Sequence, residues 1–225
     1  MELRFFEIYR SAEYLGLLAQ GLAISAAITI AGAVLGFSLA IVLAVTRHEK
    51  VPVLRWISAA YVDFVRNTPL VVQVFFVAFG LPQLLGYVWP FWAHAVLALS
   101  LNFSAYFAEI LRAGFIAADS GQREAAETLG LSRVAVVRKV MIPQAIASTA
   151  PSLNAQFVFL FLTTGIISEI SVKDLTYAGL FIDSRSFRTF EVFITLTGLY
   201  ILLALVFKAA LTWAEHRQFR WKFLR

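Results

Sequence analysis

The 225-residue sequence contains no cysteine, which excludes a disulfide scaffold, thiolate metal sites and cysteine nucleophiles. Histidine is nearly as scarce. His48, His94 and His216 lie far apart without metal-ligand spacing, and His94, inside an apolar stretch, reads as an interfacial residue. Charge is the third shortage: Asp, Glu, Lys and Arg make up 15% of the chain, against roughly 25% in soluble domains. In their place stand apolar residues, 60% of the chain, with 21 Phe outnumbering the 14 acids. The mean hydropathy is +0.78. A chain with so little charge is built for a non-aqueous solvent, so an ordinary water-soluble enzyme and a disordered tail are both excluded. No repeat, low-complexity tract or Ser/Gly linker divides it, and residues 1–225 are expected to form one domain.

A spanning helix needs about 20 mostly apolar residues, because the hydrocarbon core is about 30 Å thick and a helix rises 1.5 Å per residue. Tyr14 to Thr46 is free of charge and preceded by Glu2, Glu7 and Glu13, which marks a retained span rather than a cleaved signal. Asn67 to Ala108 is too long for one helix, and Gly80, Pro82, Gly86 and Pro90 interrupt it, which predicts two spans and a short hairpin. The expectation is an all-α integral membrane protein with five transmembrane helices, at about 15–46, 67–84, 90–111, 143–168 and 191–213.

Lys and Arg placement orients them. Fourteen of the 19 basic residues, including Arg47, Lys50, Arg123, Arg133, Arg220, Lys222 and Arg225, fall on one side. Arg4, Arg10, Lys173, Arg185 and Arg188 fall on the other. The amino terminus is therefore expected outside and the carboxy terminus in the cytoplasm. The net charge of +5 follows from this excess and does not require nucleic acid.

Two connecting segments are too long for turns, 112–142 inside and 169–191 outside. In the first, Gln122 to Leu129 is rich in helix formers, Gly130 suits a left-handed stop, and Ser132 can cap a second helix, Arg133 to Lys139. Pro143 is expected to begin the return into the membrane. The result is a cytoplasmic helical hairpin between spans 3 and 4. Small side chains at Ala125 and Ala126 suit docking into a groove on a soluble partner, with Arg123, Glu124 and Glu127 fixing register by charge. The same residues also fit a solvated membrane-surface element. A membrane-anchored regulator reading DNA through this helix-turn-helix-like hairpin is a further rival, against which count the lack of a soluble domain and the spans on both sides, which leave almost no linker to reach a major groove.

Glu124-Ala-Ala126, Gly130 and Val140-Met-Ile142-Pro143 resemble the signature loop of ABC importer permeases. Arg66-Asn-Thr-Pro-Leu70 with Gln73, Asn102-x-x-x-Tyr106-x-x-Glu109-Ile-Leu-Arg112, Gly121-Gln122 and Ile182 to Phe187 with Phe190-Glu191 are similar to the polar amino-acid subfamily, of the histidine, glutamine and glutamate type. The resemblance implies the permease subunit of an importer in the bacterial inner membrane. A cytoplasmic ATPase dimer would bind ATP and Mg, an external binding protein would deliver the amino acid, and a second permease subunit would complete the path. Residues Arg123 to Gly130 would form the coupling helix. This chain itself has no phosphate-binding Gly-x-x-x-x-Gly-Lys loop and no cofactor is expected in it.

Candidate pathway residues are neutral, because charge at mid-membrane is costly. Asn102 and Tyr106 share a helical face with Glu109, which also stands in register to pair with Arg112. Gln156 and Thr163 share a face, with Asn154 and Thr164 beside them, and the resemblance adds Gln73. Helix–helix contact is the competing role for these amides, and Thr hydroxyls can bond their own backbone. Relatives usually carry a Lys-Asp-Thr-Ser-Leu-like run where this chain has Leu162-Thr-Thr-Gly-Ile166. The missing lysine leaves both a homodimer and pairing with a different permease open. An ATP-independent secondary transporter or channel remains the alternative, though it would need mid-depth carboxylates or inverted repeats that are absent.

Overall fold

A computed structural model describes residues 4–118 and 120–219, Ser120 by its backbone alone. Glu2, Arg220, Lys222 and Arg225 lie outside the described residues. The chain is all-helical, without strands among the described residues. In order, the helices are α1 (Phe6–Tyr9), α2 (Ala12–His48), α3 (Leu54–Arg66), α4 (Leu70–Leu85), α5 (Phe91–Ala117), α6 (Ser120–Thr128), α7 (Arg133–Ile170), α8 (Leu175–Ser186) and α9 (Thr189–Gln218). Helices α2, α5, α7 and α9 are long and apolar enough to cross a membrane, and the α3–α4 pair, bent by 108°, makes a fifth candidate.

The bend has a local cause. Proline disfavours helix in the residue before it, and Pro69 follows Thr68, whose hydroxyl donates to the Phe64 carbonyl at 3.0 Å and helps end α3. The second span, expected from residue 67, is therefore helical only from Leu70. Two other expectations about proline are corrected. Helix α4 continues through Gly80 and Pro82 and stops at Gly86, which adopts φ +68°. Pro143 does not open a new helix either, because α7 runs through it unbroken from Arg133. Both prolines follow a wider, π-type turn, Phe76–Gly80 and Val137–Met141. Such a turn moves aside the carbonyl four residues back that the ring would otherwise crowd.

The residues gather into two compact units, each holding parts of the long helices. The first comprises residues up to 33, 70–99 and 158–208. Its core joins Ile8, Leu18, Leu175, Ala178, Ile182, Val192 and Leu196. Arg188 fastens α1 by donating to both oxygens of Glu7 at 3.1 and 3.2 Å. The outside segment expected at 169–191 contains α8, capped by Asp174, whose Oδ1 accepts from the Tyr177 N–H at 2.9 Å. A Cβ on Gly21 would lie 2.7 Å from the Asp174 carbonyl oxygen, so only glycine lets α2 come this close. One turn on, Ser25 accepts the free N–H of Leu175 at 3.1 Å.

The second unit comprises residues 34–69, 100–157 and those from 209 on. Here α2 meets α5 at Gly36, whose Cβ would stand 3.0 Å from the Ser100 carbonyl oxygen. Helices α5 and α7 meet at Gly114, where a Cβ would lie 2.6 Å from the Ala145 carbonyl oxygen. This second crossing sits at the root of the α6 hairpin.

Candidate functional site

Gly130 adopts φ +78°, a left-handed conformation that glycine reaches without steric penalty, so α6 ends and the chain reverses. Ser132 then caps α7, its hydroxyl accepting the Ala135 N–H at 3.4 Å. Local chemistry thus builds the hairpin that the sequence predicts, although its second arm is the first turn of α7 rather than a separate helix. Glu124, Ala125 and Glu127 are exposed. Ala126 is only 6% exposed and faces inward, so the expected ridge of two small residues reduces to Ala125. Neighbours on a helix point about 100° apart, and both cannot face a partner.

Arg123 does more than set register. Its Nε donates to Glu127 at 3.0 Å, four residues on, and its Nη1 to Glu49 Oε1 at 3.2 Å. Arg133 donates from Nε to Glu49 Oε2 at 2.5 Å and from Nη2 to the Glu49 backbone carbonyl at 3.1 Å. The Glu49 side chain is 7% exposed. Burial by itself would raise its pKa. The Arg133 hydrogen bond and the charges of Arg123, Arg133 and His48 outweigh that and hold the carboxyl below its usual range. Glu49 also borders an open groove of about 740 Å³, lined by Val45, Lys50, Val51, Pro52, Arg133, Val134, Val137 and Arg138. Sequence reasoning missed Glu49. The available signal was an acid isolated within the basic stretch Arg47-His-Glu-Lys50.

The pathway candidates separate. Asn102 is 3% exposed and Tyr106 half-buried on α5, with the Arg66 guanidinium 5.6 Å from the Tyr106 ring centre. Glu109 accepts from Arg112 Nε at 2.8 Å, the expected i,i+3 pair, and also from Arg47 Nη1 at 3.0 Å on α2. Asn154 donates to Glu215 at 3.0 Å, which commits its amide to a contact between α7 and α9. Gln156 keeps a buried Nε2 with no hydrogen-bond partner among the described residues. Thr163 and Thr164 donate to the Leu160 and Phe161 carbonyls at 2.8 and 2.7 Å, the backbone bonding expected of Thr164 and found at Thr163 as well. Gln73 is half-buried on α4.

Two further polar residues lie deep. His94 is 2% exposed, its ring 5.8 Å from that of Tyr87, so it packs inside the chain. Asp174, fully buried, escaped the sequence reading, although an Asp before an apolar helix is a cap signal. Among the described residues no cluster of three or more His, Cys, Asp or Glu can hold a metal ion.

Residues 32–220 match the family described as the binding-protein-dependent transport system inner membrane component. The chain belongs to that family. Like the family, it is a transport permease subunit rather than a catalytic enzyme. The arginine transport system permease ArtQ of Bacillus subtilis is 36% identical over 188 residues, 83% of this chain and 85% of that one. The octopine transport system permease OccM of Rhizobium radiobacter is 32% identical, over 90% of this chain and 89% of its own. Among solved structures, an amino acid ABC transporter with histidines superposes with TM-score 0.83 at 33% identity, covering 96% of this chain and all of that one. The MetNI methionine ABC transporter, at 17% identity and TM-score 0.78, shares the fold.

Proposed function

We propose that this permease is a single membrane domain of an ATP-driven importer for polar amino acids. Its amino terminus lies outside and its carboxy terminus in the cytoplasm of a bacterial inner membrane. The family match over residues 32–220 carries the reading. Relatives named for arginine, octopine and cystine transport support amino acids as the cargo class. The excess of Lys and Arg on the hairpin side supports the orientation.

In this reading the α6 hairpin is the coupling helix. Glu124, Ala125 and Glu127 face a groove on one subunit of a cytoplasmic ATPase dimer, Gly130 sets the turn and Ala126 packs it onto the permease. ATP and Mg belong to the ATPase subunits. An external binding protein delivers the amino acid, and a second permease subunit, the same or different, completes a path that one chain cannot enclose. Gln156, whose buried Nε2 has no partner among the described residues, is the pathway candidate with the best claim, and Asn102 and Tyr106 stand on the α5 face they share. Asn154, Glu109, Thr163 and Thr164 are engaged within the chain, and Gln73 joins the pathway set on resemblance.

The test is mild-detergent purification of the tagged permease from its native membranes, followed by reconstitution into vesicles. Co-purifying ATPase subunits and uptake that requires ATP are expected, and a second permease in the complex would account for the lysine missing near Thr163. Recovery of this chain alone, moving solute without ATP, would replace the reading with a secondary transporter.

A further inference from the structure

Two covalent connections, the end of α5 and the Gly130 turn into α7, hold α6, the first arm of the hairpin, and between them buried Ala126 and the hydrogen bond from Gln144 to Gln122 rest it on the permease; the second arm is α7 itself. Helix α2 supplies a further point through Glu49, the residue immediately after its last turn. Arg123 belongs to α6 and Arg133 opens α7, so one carboxylate grips both arms of the hairpin across the Gly130 turn. The Glu49 side chain is 7% exposed and receives both guanidinium groups, and Arg133 holds its backbone carbonyl as well. Arg123 is itself oriented by Glu127. His48, 3.8 Å from Glu49 and stacked on Phe115 of α5, braces the same corner.

We propose that Glu49 is a positioning residue for energy coupling: it ties both arms of the hairpin to the end of α2 and so makes displacement of the hairpin displace α2. The proposal rests on the coupling-helix reading above. Glu49 does not belong to the exposed docking face formed by Glu124 and Ala125, so its loss leaves that face in place. What is lost is transmission. A neutral Gln cannot hold two guanidinium groups as a carboxylate does, and the hairpin then moves under load without carrying α2 with it.

The experiment uses the assembled transporter in vesicles and compares wild type with Glu49→Gln and Arg133→Gln. The readouts are ATPase subunits retained, ATP hydrolysed and amino acid taken up. Both variants are expected to retain the ATPase and to hydrolyse ATP within about twofold of wild type, while uptake per ATP falls at least fivefold. Because the permease has no cysteine, a Glu49→Cys/Arg133→Cys pair can be bridged by a short bifunctional thiol reagent. Bridging should restore uptake per ATP, and capping the same thiols singly should not, an outcome that a merely folding role would not give. The double variant also serves if Glu49→Gln does not assemble. Wild-type uptake per ATP in Glu49→Gln overturns the proposal. So does loss of the ATPase, which would make Glu49 part of the docking surface, or failure of the bridge to restore coupling. If wild type itself brings no ATPase and transports without ATP, the coupling reading has failed, and that arm shows it separately.

Discussion

Replacing Gly114 should wedge apart the two helices that carry the hairpin. A Cβ there would lie 2.6 Å from the Ala145 carbonyl oxygen, 3.0 Å from Thr149 Cγ2 and 3.1 Å from the Ala145 carbonyl carbon. Two of these three atoms are backbone and cannot rotate away. To reach an ordinary contact α5 and α7 must part by about 0.8 Å, a gap that forfeits a quarter to a half of each dispersion contact along the crossing. Inserting a methyl into packing this tight typically costs about 1–3 kcal/mol. At roughly 2–4 °C per kcal/mol for a chain of this size, Gly114→Ala should lower the unfolding midpoint by about 2–12 °C, and Gly114→Val by more. The absence of native cysteine provides the assay. A single Ala40→Cys reporter, at a fully buried position, reacts with a thiol dye only as the permease unfolds in detergent. Gly16→Ala is the control, since nothing lies within 4 Å of its Cβ. If Gly114→Ala and Gly16→Ala melt together, the close crossing does not exist and the reasoning fails.

At Gly130 the constraint is conformational, because its Cβ would meet nothing within 4 Å. A left-handed residue other than glycine costs about 1–2 kcal/mol, and Asn tolerates the region best, so ATP-dependent uptake should rank Gly, then Asn, then Ala, then Val. Equal uptake by Gly130→Val would remove the turn from the mechanism. Asn102→Leu, on α5, should reduce uptake or change which amino acids compete for it, with the ATPase still bound; unchanged competition profiles would take Asn102 off the pathway. Asp174 has its pKa raised from 3.8 to about 6, chiefly by burial, against hydrogen bonds from Tyr177, Thr176 and Tyr200. Its folded value lies above its unfolded one, so the proton is bound more tightly by the folded chain. The associated stability is lost as pH rises through about 6 and is fully present only below the unfolded value. Thermal stability should therefore rise on going from pH 7 to pH 5, and Asp174→Asn should flatten that slope. Glu49 has the opposite sign. Its depressed carboxyl contributes above the usual carboxylate range and loses its grip as pH falls through the folded value. Hydrogen exchange in residues 120–132 should accelerate there, and an exchange rate independent of pH (after correction for intrinsic chemistry) would argue against the clamp.

By itself the sequence determined whatever depends on neighbours a few residues apart. Charge-free stretches specified the long helices, since a helix satisfies its own backbone polar groups wherever water is excluded. Gly130 dictated the reversal, Ser132 the cap, and Glu109 with Arg112 an ion pair one turn apart, all within reach of local geometry. Proline was misjudged at Pro82 and Pro143, because a widened turn just before each ring lets the helix run on, and composition does not record such a turn. Only the tertiary structure decided which distant groups meet. Arg123 and Arg133 reach Glu49 across 74 and 84 residues, and Arg47 reaches Glu109 across 62. The isolated acid in Arg47-His-Glu-Lys50 marks a candidate, but which cations reach it and bury it is decided by helices more than 70 residues away. Asp174 was equally opaque: its cap was legible, but its burial comes from Gly21 and Ser25 some 150 residues earlier. Ala125 and Ala126 differ for the same reason, since a helix displays every side chain alike until another surface covers one face of it.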